Sequence, residues 1–156
     1  MEVCRLEYEQ WIEADIGQVW EFFSDHRNLQ QLTPKQLDFR IVYPKVFNGS
    51  VYPGMIIEYR IKPFGLWRMN WVTEITQVKE GELFVDEMRA GPYKFWHHQH
   101  LFFQHSEGVQ MVDILHYILP MGAIGKVLLN SYVQRKIDRI FAYRKEAIKK
   151  FFDRKS

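Results

Sequence analysis

The spacing of apolar side chains changes once along this chain of 156 residues, at Pro120. Before Pro120 the chain consists mostly of runs in which apolar and polar residues alternate, as in strands. Beyond it, apolar residues recur every three or four positions through 124–152, which predicts one helix on the order of 45 Å long. The apolar stripe of this helix comprises Val133, Ile137, Ile140, Phe141, Ile148 and Phe151. Strands followed by a single long amphipathic helix predict an α+β domain.

Short connections rich in Gly, Pro and Asn separate the alternating runs, which favours an antiparallel meander. The predicted strands are 3–12, 39–43, 55–62, 66–78, 82–90, 95–105 and 109–119. Asp15 is placed to cap a short helix after the first strand, and 28–32 predicts a second short helix before Thr33 and Pro34. We expect a curved antiparallel sheet wrapped around the C-terminal helix, with space left between them.

Composition narrows the class of protein. Residues 1–156 form a single domain large enough for a core with a pocket. A hydrophobic content of 47% excludes disorder. The one cysteine, Cys4, excludes an internal disulfide and a cysteine-rich metal site, as in a reducing compartment. Since neither a signal peptide nor an apolar run of roughly 20 residues is seen, we expect a soluble, cytoplasmic protein.

Three strands carry ionisable groups among large aromatic residues on one face, because residues two apart in a strand share a face. A packed core seldom has this composition, whereas a ligand cavity combines apolar walls with a few orienting polar groups. The face comprises Phe84, Asp86 and Met88, then Trp96, His98, His100 and Phe102, then Met111, Asp113, Leu115 and Tyr117.

If Glu107 and Gly108 form a two-residue hairpin turn, the register of the last two strands follows. Phe102 then pairs with Asp113, His100 with Leu115 and His98 with Tyr117. Asp113 becomes a diagonal neighbour of His100. One interpretation is acid–base chemistry on a carbonyl by His98, His100, Asp113 and Tyr117. The other, which we favour because no nucleophile is identifiable, is that these groups satisfy one another or orient a ligand.

A metal site is a weaker hypothesis. His98 and His100 could both coordinate an ion, with Asp86 or Asp113 completing the set, whereas His97 points to the other face. Such ligands need outer hydrogen-bond partners, which the sequence does not reveal. We therefore expect no metal and no cofactor.

The order of elements and the local motifs resemble the SRPBCC superfamily of START and Bet v 1-like helix-grip proteins, in particular its bacterial polyketide cyclase/dehydrase-type, cell-division-inhibitor-like branch. The motifs are Val19-Trp20-Glu21-Phe22-Phe23, Asn28-Leu29, Thr33-Pro34, Phe84, Asp86, Gly91-Pro92-Tyr93, Trp96, His98, His100, Phe102, Asp113, Tyr117, Leu119-Pro120, Gly122, Gly125 and Arg139-Ile140-Phe141-Ala142-Tyr143-Arg144. Asp15-Ile16-Gly17 departs from the family, which commonly has a proline there. The resemblance implies a lipophilic-ligand cavity but no particular reaction.

We therefore expect the protein to bind or carry a hydrophobic small molecule, such as a lipid, isoprenoid, quinone or polyketide-like compound, between the sheet and the C-terminal helix. The alternative is a polyketide cyclase or dehydratase that uses His98, His100 and Asp113. The expected ligand-binding residues are Trp67, Trp71, Trp96, His98, His100, Phe102, Tyr117 and Phe141.

The C-terminal segment is basic. Residues 126–155 carry a net charge of +7, and the remainder of the chain carries −5. Such a helix could dock on an anionic membrane or on RNA. We expect instead that its lysines, including Lys136, Lys149 and Lys150, solvate the outer face. This predicts no specific nucleic-acid partner and at most weak peripheral membrane contact.

Overall fold

One antiparallel sheet dominates the structure, a computed structural model that describes residues 2–46, 49–63, 67–120 and 126–153, without the side chains of 126–128. Within these residues the strands are β1 (Cys4–Ile12), β2 (Arg40–Tyr43), β3 (Ile56–Ile61), β4 (Met69–Lys79), β5 (Leu83–Ala90), β6 (Phe95–His105) and β7 (Gly108–Ile118). They lie in the order β1-β7-β6-β5-β4-β3-β2, and the sheet is curved and open. The predicted strand bounds agree within one residue except at β4, which begins three residues later than predicted.

The helices complete the predicted helix-grip α+β fold. Helix α1 spans Ile16–Ser24, 3₁₀ turns follow at His26–Gln30 and Lys35–Leu37, and α2 spans Lys126–Asp153. The predicted start of α2 at residue 124 lies outside the described residues. Among the described helices, none combines the length and the apolar content that a bilayer span requires.

Helix α1 begins where the sequence predicts. The Asp15 carboxylate accepts a hydrogen bond from the Gln18 backbone N–H at 3.0 Å, which satisfies a donor that a helix N-terminus leaves free. The buried side of α1 carries Trp20, whose ring lies edge-on to Phe84 and Phe102 at centroid distances of 6.1 and 5.8 Å. These contacts hold α1 against β5 and β6.

Helix α2 is fixed to β1 near its middle and to α1 near its end. The rings of Tyr8 and Phe141 stack at 3.9 Å, and the Tyr8 hydroxyl donates to Asp138 at 2.7 Å. At the C-terminal end, the rings of Phe22 and Phe151 are 4.1 Å apart. The helix therefore spans the concave face of the sheet between two aromatic contacts.

The register of β6 and β7 differs from the prediction. His105 pairs with Gly108, so Ser106 and Glu107 form the turn. The observed pairs are Trp96 with Tyr117, His98 with Leu115, His100 with Asp113 and Phe102 with Met111. Because the pairing is displaced by two residues, every side chain keeps its predicted face.

Gly108 lies at the contact between β7 and β1 and not, as predicted, at the centre of the hairpin turn. A Cβ atom at Gly108 would lie 2.4 Å from the Ile12 carbonyl oxygen and 3.1 Å from the Trp11 ring. The glycine therefore permits a close approach of two strands, and it does not mark the centre of the hairpin turn.

Substitution of Gly108 tests this reading, with Gly54 as the control. Both glycines have positive φ, but no atom lies within 4 Å of the Cβ position of Gly54. We expect Gly108→Ala to lower the free energy of unfolding by about 2–4 kcal/mol, through strain and overpacking, and Gly54→Ala by about 1 kcal/mol. Urea denaturation measures both, and equal effects would show that the contact with β1 is unimportant.

Candidate functional site

A cavity of about 160 Å³ separates the concave face of the sheet from α2. Trp71 and Trp96 contribute to its wall from the sheet, and Val133, Ile137 and Phe141 contribute from α2. Leu29, Leu32, Leu37 and Phe39 line it from the segment between α1 and β2. The wall is thus largely apolar and aromatic, as is typical of a small-molecule site.

Two histidines and two aspartates form a compact cluster at this wall, which we call the His–Asp quartet: Asp86, His98, His100 and Asp113. His98 Nε2 lies 2.9 Å from Asp113 Oδ1, and His100 Nε2 lies 2.9 Å from Asp86 Oδ2, both at hydrogen-bond geometry. His98 Nδ1 is 3.4 Å from Asp86 Oδ2, and His100 Nδ1 is 2.9 Å from Asp113 Oδ1 but out of line for a hydrogen bond. Each histidine therefore faces both aspartates.

Three neighbouring strands supply the quartet. His98 and His100 are two residues apart on β6 and share a face. Asp86 on β5 pairs with His98, and Asp113 on β7 pairs with His100. Directly paired residues of antiparallel strands have closely spaced side chains, which brings acid and base together.

Aromatic rings enclose the quartet. Phe84 stacks on His100 with centroids 4.1 Å apart, and Phe141 lies edge-on to His98 at 5.7 Å. The two imidazoles are themselves only 3.9 Å apart. The side chains of His98, His100 and Asp113 are 5–8% exposed, whereas Asp86, at 16%, is the most accessible member.

Hydrogen bonds within the quartet shift the pKa values of its members. Burial would raise the pKa of Asp86 and of Asp113, but hydrogen bonds from His100 and His98 outweigh it and hold both pKa values far below the usual range. Burial would likewise lower the pKa of His98, but hydrogen bonds to Asp113 and Asp86 raise it to about 9. The two aspartates and His98 therefore stabilise each other's charged forms.

The cavity brings together five of the eight predicted ligand-binding residues. These are Trp71, Trp96, His98, His100 and Phe141. Asp113, predicted as a catalytic partner, lies behind the histidines and does not reach the cavity wall.

Three predicted residues lie elsewhere. Trp67 precedes β4 and is 77% exposed, because the alternation of the strand does not extend back to it. Phe102 packs in the core against Trp20 and Phe23. Tyr117 was expected beside His98, but it pairs with Trp96, and its hydroxyl donates to Asn130 Oδ1 at 3.0 Å.

Arg144 lines the cavity although it is not among the ligand-binding residues predicted from the sequence. It is half-buried, its guanidinium carbon lies 4.8 Å from the centre of the Phe141 ring, and its Nε atom has no hydrogen-bond partner within the described residues. Trp71 Nε1 is also buried without a partner there. The signal was present in the sequence, because Arg144 follows Phe141 by three residues and shares its helix face.

The basic residues of α2 have different environments. Lys149 and Lys150 are exposed, as expected, but Lys136 is half-buried, lines the cavity and lies 5.6 Å from the centre of the Tyr132 ring. The inner side of the helix is occupied by packing, so a docking surface would be limited to its outer side.

Comparison with known proteins shows the fold. No family model and no curated protein matches the sequence. An aromatase/cyclase, Zhui of Streptomyces sp. R1128, matches with a TM-score of 0.72 at 11% identity, over 94% of this chain and 92% of that chain. A START superfamily protein of Mycobacterium smegmatis matches with a TM-score of 0.69 at 10% identity, over 99% of both chains. Protein Ms6760 of the same organism gives 0.68 at 14% identity, over 100% of this chain and 99% of that chain.

These matches confirm the predicted helix-grip fold. They do not distinguish branches of the superfamily, so the cell-division-inhibitor-like assignment stays a prediction.

The stability of the quartet is testable against a similar pair on the opposite face of the sheet. There, His97 Nδ1 lies 2.9 Å from Glu87, whose side chain is 26% exposed. We expect Asp113→Asn to cost about 3–5 kcal/mol of unfolding free energy, because it leaves a buried charge uncompensated, and Glu87→Gln to cost about 1 kcal/mol or less. Urea denaturation at pH 7 measures both, and a loss below 1 kcal/mol for Asp113→Asn would contradict the account of the quartet.

Proposed function

We propose that the protein binds or carries a hydrophobic small molecule in the cavity between the sheet and α2. The proposal rests on an apolar cavity lined by two residues, Trp71 and Arg144, whose buried Nε1 and Nε atoms have no hydrogen-bond partner within the described part of the chain. Unpartnered buried donors cost free energy in a closed core, whereas a ligand with an acceptor group would satisfy them. The START-like fold supports the same conclusion.

Cavity volume limits the ligand. A cavity of roughly 150 Å³ accepts a benzene-sized molecule, whereas typical drug-sized ligands occupy about 300–1,000 Å³. The observed 160 Å³ therefore suits a single ring or a short branched chain. A long isoprenoid, a quinone or a polycyclic polyketide would have to displace half-buried wall residues such as Leu29, Leu37 and Ile140.

The position of Arg144 suggests how the ligand is oriented. Among the described residues Arg144 makes no ion pair, although it lies at the cavity wall. A guanidinium forms its strongest hydrogen bonds with carboxylates and phosphates. We infer that the polar end of the ligand is anionic and contacts Arg144, while its apolar part lies against Trp71 and Phe141.

Binding is better supported than catalysis. All four imidazole nitrogens of His98 and His100 already lie within 3.4 Å of a carboxylate oxygen. A general base must have a nitrogen available to the substrate, so catalysis by His100 would require the quartet to open. The cyclase alternative draws support from the matching aromatase/cyclase structure, which has the same fold.

Filling the cavity should abolish binding. Ile140→Phe adds volume at the cavity wall, whereas Ala142→Phe adds the same ring on the exposed side of the same helix. We expect benzoate and toluene to raise the melting temperature of the wild type and of Ala142→Phe, but not that of Ile140→Phe. Thermal shift assays measure this, and a response from Ile140→Phe equal to that of the wild type would place binding elsewhere.

Removal of the guanidinium should change ligand preference. We expect the wild type to bind benzoate more tightly than benzyl alcohol, because a charge-assisted hydrogen bond to Arg144 contributes about 1.5–3 kcal/mol. In Arg144→Gln the affinity for benzoate should fall about tenfold or more, while that for benzyl alcohol changes little. Titration calorimetry checks this, with the exposed neighbour substitution Lys145→Gln as control. An unchanged benzoate affinity in Arg144→Gln would exclude the assigned orientation.

A further inference from the structure

We propose that the cavity-facing side of the His–Asp quartet binds a divalent first-row transition cation, through Asp86 Oδ2, His98 Nδ1 and His100 Nε2. This goes beyond the proposed function and is independent of it, because the metal can be tested without an organic ligand. It also replaces the expectation from sequence that no metal binds.

The positions of the donor atoms suit a metal. Asp86 Oδ2 lies 3.4 Å from His98 Nδ1 and 2.9 Å from His100 Nε2, and the three residues can each offer a ligand atom within 4.8 Å of those of the other two. With metal–ligand distances of about 2.0–2.2 Å, neighbouring ligands of an octahedral or tetrahedral ion are separated by roughly 3.0–3.4 Å. Two of the three separations therefore match this range.

Asp113 provides the outer support that a metal site requires. Its Oδ1 atom lies 2.9 Å from His98 Nε2 at hydrogen-bond geometry, and 2.9 Å from His100 Nδ1, with which it is not aligned for a hydrogen bond. Metal-binding histidines usually donate their second N–H to a carboxylate, which fixes the tautomer and the ring orientation. Asp113 would thus hold a proton on His98 Nε2 and leave Nδ1 free for the ion.

The charge of the quartet fits a divalent ion. Asp86 and Asp113 together carry two negative charges, so one divalent cation is balanced without a further counter-charge once it has displaced the second proton of His98. Nitrogen and carboxylate ligands in this ratio are typical of Zn²⁺, Fe²⁺ and similar ions rather than of Ca²⁺.

The remaining coordination positions would face the cavity. Asp86, His98 and His100 line the cavity, and Asp113 does not. Three protein ligands leave room for water or for an oxygen atom of a bound molecule. Asp113 would then support the histidines on the side away from the cavity, and the metal would be accessible from the cavity.

Titration of metal-free protein tests the proposal. Protein treated with EDTA and dialysed is titrated with Zn²⁺ by calorimetry and with Co²⁺ by absorption spectroscopy. We expect one ion per chain, loss of binding in Asp86→Asn, and about 10- to 100-fold weaker binding in Asp113→Asn. His97→Gln is the control, since His97 lies on the same strand but contacts Glu87 on the other face. It should bind as the wild type does.

Wild-type protein with ¹⁵N-labelled histidine provides a measurement that does not depend on the variants folding. We expect Zn²⁺ to shift the Nδ1 resonance of His98 and the Nε2 resonance of His100. Absence of binding by the wild type would overturn the proposal. So would binding that survives Asp86→Asn but is lost in His97→Gln, since the ion would then lie at the surface near His97 and His116, whose rings are 6.1 Å apart.

Discussion

Opposite charges that water scarcely reaches hold the centre of this structure together. Asp86 on β5 and Asp113 on β7 face His98 and His100 on β6 from two sides, at distances of 2.9–3.4 Å. Removal of either aspartate would weaken the pairing of the buried His98 charge, and an uncompensated charge is among the largest penalties in a protein interior. The quartet therefore ties three strands to one register and fixes the polar part of the cavity wall.

The cavity exists because large rings meet around this polar patch without filling the space in front of it. Trp71 and Trp96 lie edge-on at a centroid distance of 5.0 Å, while Phe141 is held in place by the stacked ring of Tyr8. Helix α2 is anchored to β1 and to α1, so it closes the cavity from the side opposite the sheet. Cavity volume thus depends on aromatic packing, and cavity chemistry depends on the quartet and on Arg144.

Much of this arrangement follows from the sequence, because alternation along a strand assigns every residue to a face whatever the register. The shared face of Asp86, His98, His100 and Asp113 was predictable for that reason. The register of β6 and β7 was not predictable, because Gly108 resembles a turn residue although its role is to allow β1 to approach β7. Trp67 was misplaced because alternation does not reveal where a strand begins. Arg144 was missed because a charged residue beside an apolar helix stripe usually points to solvent.

An apolar space lies between Trp71, Trp96 and Phe141, with the His–Asp quartet in its wall. Diffraction from a crystal pressurised with xenon tests whether this space admits a ligand, because xenon occupies apolar cavities of this size. We expect an anomalous xenon peak in contact with these three rings, with the quartet unchanged beside it. Side chains that fill this volume, with no xenon peak between the sheet and α2, would contradict it.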